Sequence, residues 1–316
     1  CMYFFSRIPA QFWFRFAWPL YGISIVLLLS VLVVGESVNG ARRWINIAGI
    51  QFQPSELAKF ALVLLFSHLI SLNHKRMKRI RDLGFLPLSI ILVVTCGLVV
   101  IEPHLSGTLL IGLLGFMMMF VGGVSGLLLG GVLAGGGALV AMMVLIGGYE
   151  MDRIEVWLNP LEIFARDLAG RDQAWQTVQS LYAIGSGGFF GVGLGNSKMK
   201  QLYVSEPQND FIFSIICEEL GFVGALFIVI LFALLVWRGF LIGIKAKDKF
   251  GALLAMGISF QVGLQAALNI GVVTDVLPNT GISLPFFSYG GTSLLMLIFE
   301  MGVVLSVSRT AKLKKI

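Results

Sequence analysis

Asp210 is the residue whose type and position best suit catalysis. It ends the polar run S-E-P-Q-N-D and directly precedes the apolar run F-I-F-S-I-I, so it sits between water and a low-dielectric zone. Partial desolvation of a carboxyl group favours its neutral form, which suits a general base. The alternative is a helix N-cap, in which the Asp210 side chain accepts hydrogen bonds from free amides at a helix start. Glu206 lies four residues earlier and is a candidate for the same site.

Glu56 and Lys59 form a second candidate group, within the run Q-P-S-E-L-A-K. Their spacing places both side chains on one face of a helix, where they can form an ion pair. Pro54 suits the first turn of that helix. Two interpretations follow: an ion pair that steadies the helix end, or a polar wall of a substrate cavity.

Arg42, Arg43 and Trp44 form a third group, within N-G-A-R-R-W-I. Two adjacent guanidinium groups suit a pyrophosphate or an anionic lipid headgroup. The alternative is interfacial anchoring, with the Trp44 ring in the aromatic belt of a membrane.

Two glycine-rich segments contain no recognised ligand motif. The strip A-I-G-S-G-G-F-F-G-V-G-L-G (183–195) lacks a complete dinucleotide or phosphate-loop pattern, so we expect tight turns there. The loop L-P-N-T-G-I-S-L-P-F-F-S-Y-G-G-T-S (277–293) favours non-helical backbone, which membranes tolerate only where protein or a water-filled cavity covers it. The three histidines show no metal-ligand spacing.

The elements that must position these residues are membrane spans. Of the 316 residues, 57% are hydrophobic and only 13% are charged, which excludes a soluble enzyme, a disordered protein and a nucleic-acid module. A spanning helix needs about 20 apolar residues. The sequence predicts an all-α polytopic membrane protein with eight spans, near 17–35, 56–72, 84–101, 107–122, 126–147, 211–237, 251–271 and 288–308.

Basic residues set the orientation of these spans. Most of the 23 Lys and Arg residues lie before Phe16, in the loop 73–83, after Trp237 or in the C-terminal tail, which are therefore predicted to be cytoplasmic. The loop 148–210 is then extracytoplasmic, and its aromatic and charged residues predict amphipathic helices on the outer membrane face. We expect one integral membrane domain over residues 1–316. Because residue 1 is Cys and residues 1–5 resemble the end of a further helix, we also expect an N-terminal truncation.

Taken together, the motifs resemble the SEDS family of FtsW, RodA and SpoVE, and they are most similar to the FtsW branch. Five stretches match in family order: N-G-A-R-R-W-I (39–45), F-Q-P-S-E-L-A-K (52–59), Q-S-L-Y-A-I-G-S-G-G-F-F-G-V-G-L-G (179–195), N-D-F-I-F-S-I-I-C-E-E-L-G (209–221) and P-N-T-G-I-S-L-P-F-F-S-Y-G-G-T-S (278–293). The family has ten spans, so the resemblance implies that the chain holds eight of them in a SEDS-type helical bundle.

The resemblance implies a peptidoglycan glycosyltransferase that polymerises lipid II at the outer face of the bacterial cytoplasmic membrane. The expected place is the division septum. The implied partners are a class B penicillin-binding protein, which is a transpeptidase, and other membrane proteins of the divisome; no nucleic acid is expected. Two alternatives are a lipid II flippase, which needs polar residues along a path through the core, and a non-catalytic division scaffold.

The resemblance also assigns roles to single residues. The essential aspartate of the family falls on Asp210, its motif glutamate on Glu206, and its polar pair on Glu56 and Lys59. The family's His-Thr before the aspartate is Gln208-Asn209 here, and a position where Asp is commoner is His104. A leaving pyrophosphate needs positive charge, for which the candidates are Arg42, Arg43, Lys59 and Lys198, with Mg²⁺ or Mn²⁺ as a candidate cofactor. Trp44 and Ser288 complete the expected substrate-binding set.

Overall fold

The computed structural model describes residues 1–38, 41–47, 49–74, 77, 84–102, 104–147, 151–200 and 208–311, and these form twelve helices and three short strands. The helices are α1 Met2–Arg7, α2 Ala10–Val34, α3 Pro54–Asn73, α4 Leu86–Ile101, α5 Leu105–Val121, α6 Gly126–Gly147, α7 Met151–Leu158, α8 Pro160–Arg166, α9 Leu168–Gly187, α10 Ile212–Ile244, α11 Lys249–Val273 and α12 Gly291–Thr310. The strands are β1 Glu36–Val38, β2 Ala41–Ile47 and β3 Ile50–Phe52.

Eight helices coincide with the eight predicted spans. Five of them (α2, α3, α10, α11 and α12) are long and apolar enough to cross a membrane, and α4, α5 and the first part of α6 are shorter apolar helices. The predicted helical-bundle class is therefore confirmed. The expected end of a further helix at residues 1–5 is α1, which packs on α12, where Gly302 leaves room for Met2 and Phe5.

The chain divides into two compact units. Unit 1 contains residues 1–137, 235–262 and 290–316, and unit 2 contains residues 138–234 and 263–289. The division does not test the expectation of a single integral membrane domain, which stays a prediction.

Unit 1 is organised around α3. In its most apolar stretch 78% of the residues are buried, against 22% in α10, so α3 is a central helix and α10 a peripheral one. A helix that is apolar on all sides belongs in a core. Phe60 and Phe66 are fully buried on α3, and Pro54 occupies its first turn as predicted.

A small sheet precedes α3 and was not predicted. β2 pairs antiparallel with both β1 and β3, and Thr292 at the start of α12 donates to the carbonyl of Gln51 on β3 at 3.0 Å. The sheet therefore carries the Arg42-Arg43 pair on a strand beside the first turns of α3 and α12.

Unit 2 contains the large loop, whose described residues are mostly helical, as predicted. Val156, Ile163, Ala174 and Val178 form a small core between α7, α8 and α9. Asp167 caps α9 through a 2.6 Å hydrogen bond from the amide of Gly170. The glycine strip forms turns, as expected.

Candidate active site

Asp210 lies in a turn directly before α10 and is half-buried. The N-cap alternative requires Asp210 to be the residue before the first helical one, but that residue is Phe211. The fully buried Asn269 on α11 donates to the carbonyl of Asp210 at 2.7 Å and to the carbonyl of Ile282 at 2.6 Å. One side chain thus ties the backbone of Asp210 to both α11 and the loop that follows it.

The loop between α11 and α12 is non-helical, as predicted, and it is fixed to the Asp210 turn along its length. Ser288 Oγ donates to the carbonyl of Asn209 at 2.7 Å and accepts from the amide of Leu284 at 2.7 Å. The amide of Tyr289 donates to the carbonyl of Gln208 at 2.8 Å. The Ser288 hydroxyl, expected to contact substrate, is engaged inside the protein, and this geometry favours a positioning role.

Gly281 brings the same loop close to the catalytic candidate. Its φ is +69°, a region that favours glycine, and a Cβ at this position would lie 3.2 Å from Oδ2 of Asp210. The carboxylate of Asp210 is therefore bordered by backbone that only glycine fits easily.

The segment before Asp210 is held by two carboxylates of α10. Glu218 is buried and accepts hydrogen bonds from Ser197 Oγ and from the amide of Lys198, the latter at 3.0 Å. Glu219 forms an ion pair with Lys200 at 2.8 Å. The side chain of Lys198 is exposed and faces away from this clamp. Glu206 lies outside the described residues.

Glu56 and Lys59 form the predicted ion pair in the first turn of α3. Lys59 Nζ lies 2.8 Å from Oε1 of Glu56, and both residues are buried. Ser293 Oγ on α12 donates to Oε2 of Glu56 at 3.4 Å. This buried pair carries more consequence than a surface one, because loss of either charge leaves the other unpaired in a low-dielectric site.

The alternation of side chains along β2 separates the two arginines. Successive residues of a strand point to opposite faces. Arg42 is exposed, whereas Arg43 is half-buried and its charge acts on Glu102 and His104; Trp44 is half-buried. The two guanidinium groups therefore do not form one surface, and Arg42 alone remains accessible to an anion.

Glu102 and His104 lie buried in the connection between α4 and α5. Burial raises the pKa of Glu102 to about 8, although the charge of Arg43 opposes the shift. Burial, helped by the charges of Arg43 and Lys59, lowers the pKa of His104 to about 3. Among the described residues, neither carboxylate oxygen of Glu102 has a hydrogen-bond partner. At neutral pH both side chains are therefore uncharged.

The polar residues that a flippase would need along its path are engaged inside the protein. Gln261 donates to both carboxylate oxygens of the buried Glu300 at 3.0 Å, and Gln265 donates to the carbonyl of Ser283 at 3.1 Å. Asn269, Glu218 and Glu219 have the partners given above. These contacts favour structural hydrogen bonds over an open polar pathway.

No cage for a divalent cation is present in the described part of the chain. No three His, Cys, Asp or Glu side chains there are arranged to hold a metal ion. The side chains described thus do not fit a protein-held Mg²⁺ or Mn²⁺, and no catalytic step is assigned to one.

The residues that the sequence interpretation undervalued are Asn269 and Gln265. Both were expected only as pathway or inter-helix residues. The available signal was an amide side chain in each of two neighbouring turns of an otherwise apolar helix, which needs a buried partner. Nothing in that pattern indicated that the partners would be the Asp210 turn and the loop 274–290.

Comparisons with known proteins show what the chain is similar to. A sequence model of the cell cycle protein family FtsW/RodA/SpoVE matches residues 1–313. The probable peptidoglycan glycosyltransferase FtsW of Trichlorobacter lovleyi is 39% identical over 309 residues, which cover 97% of this chain and 79% of the relative. The stage V sporulation protein E of Bacillus subtilis is 38% identical over 316 residues, which cover 98% of this chain and 84% of the relative.

Solved structures agree with these sequence matches. A structure of a peptidoglycan synthase complex that coordinates polymerization and crosslinking has a TM-score of 0.79 and 30% identity, covering 98% of this chain and 86% of the matched chain. The crystal structure of the rod shape determining protein RodA of Thermus thermophilus has a TM-score of 0.71 and 29% identity, covering 99% of this chain and 84% of that protein.

Proposed function

Because the chain belongs to the FtsW/RodA/SpoVE family of cell cycle proteins, we propose that it is a peptidoglycan glycosyltransferase that polymerises lipid II. It is a multi-pass membrane protein. The observation that carries the proposal is the setting of Asp210, a half-buried carboxylate at the mouth of an apolar helix. Its backbone is fixed by Asn269 and by a loop fitted closely around it.

In the proposed reaction, Asp210 removes the proton from the 4-hydroxyl of the acceptor N-acetylglucosamine. The oxygen then attacks the anomeric carbon of the donor N-acetylmuramic acid. The bond from that carbon to the pyrophosphate breaks, undecaprenyl pyrophosphate leaves, and the configuration inverts from α to β. A positioned base of this kind contributes roughly 10²–10⁴-fold to rate. The proton stays on the Asp210 carboxyl until water accepts it.

The leaving pyrophosphate needs cationic partners, and accessibility separates the candidates. Arg42 and Lys198 are exposed and can reach an anion. Lys59 is buried in its pair with Glu56, and Arg43 is half-buried near Glu102. We therefore assign the pyrophosphate contact to Arg42 and Lys198, and we assign Lys59 and Glu56 to a polar wall. Mg²⁺ or Mn²⁺ carried by the pyrophosphate itself would supply further charge neutralisation.

The proposed partner is a class B penicillin-binding protein, which would crosslink the strands that this chain forms. Similarity to a chain of a peptidoglycan synthase complex supports this assignment. The similarity to FtsW supports a place at the division septum of the cytoplasmic membrane, among other divisome proteins.

The experiment is a polymerisation assay with the full chain, its transpeptidase partner and labelled lipid II in proteoliposomes. Glycan strands that form with the wild-type chain and disappear with Asp210→Asn support the enzyme. Transbilayer movement of lipid II without polymer would favour the flippase, and neither activity would favour the scaffold. The buried, hydrogen-bonded state of Gln261, Gln265 and Glu300 leads us to expect no movement.

A further inference from the structure

The glycine strap, residues 188–195, repairs a break in the spanning helix α10. Gly221 has φ +67° and ψ −169°, which interrupts the helix in its second and third turns. In a continuous helix the amides of Phe222 and Val223 would donate to the carbonyls of Glu218 and Glu219. Here these four groups have lost one another as partners.

The strap supplies all four missing partners. The amides of Phe222 and Val223 donate to the carbonyls of Gly188 at 2.9 Å and Phe189 at 3.2 Å. The carbonyls of Glu218 and Glu219 accept from the amides of Val192 and Gly193, both at 3.0 Å. Non-helical backbone is tolerated at membrane depth only when its polar groups are paired within the protein, and this set is paired.

Glycine is needed where the two segments meet. A Cβ on Gly191 would lie 2.2 Å from the carbonyl oxygen of Glu219, and a Cβ on Gly221 would lie 2.3 Å from the amide nitrogen of Gly191. The strap therefore lies in backbone contact with α10, and its side chains must point away from the helix.

Those side chains are large, apolar and uncovered. Phe189 is 71% exposed, Phe190 is 85% exposed and Leu194 is 77% exposed. The sequence has no charged residue between Asp172 and Lys198. The exposed apolar face of α10, which begins at Phe222 and Val223 beside the strap, continues along that helix. The strap thus extends a surface that is already suited to lipid.

The depth of the strap follows from the inner end of α10. Trp237 and Arg238 form an aromatic and basic pair typical of the cytoplasmic interface. About 20 residues of helix cross the hydrocarbon core, so its outer boundary lies near residue 218. The strap, bonded to residues 218–223, therefore lies at the outer edge of the acyl-chain region.

We propose that the strap is inserted into the outer leaflet, with Phe189, Phe190 and Leu194 in contact with phospholipid acyl chains. A protein partner is a poorer occupant, because these exposed side chains carry no polar group to orient one. The proposal does not rest on the proposed enzymatic activity. It assigns to the large loop a membrane anchor a few residues before the clamp at Lys198.

Site-directed spin labelling of the whole chain tests the proposal. In a Cys1→Ser background, which removes the exposed native thiol, Phe190→Cys receives a nitroxide and the protein is reconstituted into phosphatidylethanolamine–phosphatidylglycerol vesicles. Asp172→Cys is the water-facing control, and Leu231→Cys on the exposed face of α10 is the lipid-facing control. Collision rates are measured with oxygen, which concentrates in lipid, and with a water-soluble nickel chelate.

We expect the oxygen-to-nickel ratio at Phe190→Cys to match that at Leu231→Cys and to exceed that at Asp172→Cys several-fold. A ratio like that of Asp172→Cys would place the strap in water and overturn the proposal. Low collision with both reagents would mean that protein covers the strap, which also overturns it. Leu194→Cys, exposed on the same strap, repeats the measurement if Phe190→Cys does not fold.

Discussion

Asn269 offers the sharpest test of how the fold prepares Asp210. Its amide nitrogen donates to the carbonyls of Asp210 and Ile282 at 2.7 and 2.6 Å from a fully buried position. Asn269→Leu keeps the approximate shape and removes both hydrogen bonds. Since a hydrogen bond contributes about 0.5–1.5 kcal/mol net, the two together contribute about 1–3 kcal/mol to holding the turn.

This energy should appear in turnover, because the Asp210 turn is what the lost bonds hold. At about 1.36 kcal/mol for each tenfold change in rate, we expect strand formation to slow roughly 5- to 100-fold. The matched control is Gln265→Leu, on the same helix and anchored to the same loop at Ser283. It lacks a hydrogen bond to Asp210 in the structure, so we expect a smaller loss.

The assay is polymerisation of labelled lipid II at saturating substrate, with melting temperature and expression measured on each preparation. In an Asp210→Asn background, Asn269→Leu should slow the residual reaction no further. The reasoning is refuted if Asn269→Leu matches the wild type in turnover, or if Gln265→Leu loses as much as Asn269→Leu does.

Three further predictions concern the surroundings of the site. Glu56→Gln leaves the charge of Lys59 buried without its partner, so turnover should fall at unchanged expression; full turnover would mean that the pair only braces α3. Burial raises the pKa of Glu102 from 4.5 to about 8, so the folded state loses stability as pH rises through that window. Glu102→Gln should flatten the melting-temperature profile there, and an unchanged slope would contradict the assignment. Gly281→Ala forces φ +69° on an L-residue at a cost of about 1–2 kcal/mol and should lower turnover, whereas Gly291→Ala, with open space around it, should not. Equal losses from the two glycine variants would contradict the role of Gly281.

The spans could be predicted because each depends on a local property. An apolar run of sufficient length forms a helix in lipid wherever it occurs, so the predicted 126–147 and 251–271 correspond to α6 and α11 within two residues. The first span was placed at 17–35 but begins at Ala10, because the helix continues through Arg15 beyond the apolar window. The three-stranded sheet escaped notice since its strands are short and show no marked alternation.

The candidate site was predictable only in part, for a related reason. Asp210 and the Glu56–Lys59 pair were indicated by charge next to apolar runs and by helical spacing. The double hydrogen bond of Asn269 depends on contacts between segments far apart in sequence, as does the place of Gly281 beside Asp210. Arg42 and Arg43 were expected to act together, but the strand turns their side chains apart, which no adjacency in sequence reveals.

The most direct test of the central claim measures lipid II binding and glycan strand formation on one preparation of the Asp210→Asn chain with its transpeptidase partner. Since the account gives this carboxylate a proton-transfer role, binding should stay close to that of the wild type while strand formation falls roughly 10²–10⁴-fold. Strand formation at the wild-type rate would contradict it, as would a loss explained wholly by weaker binding.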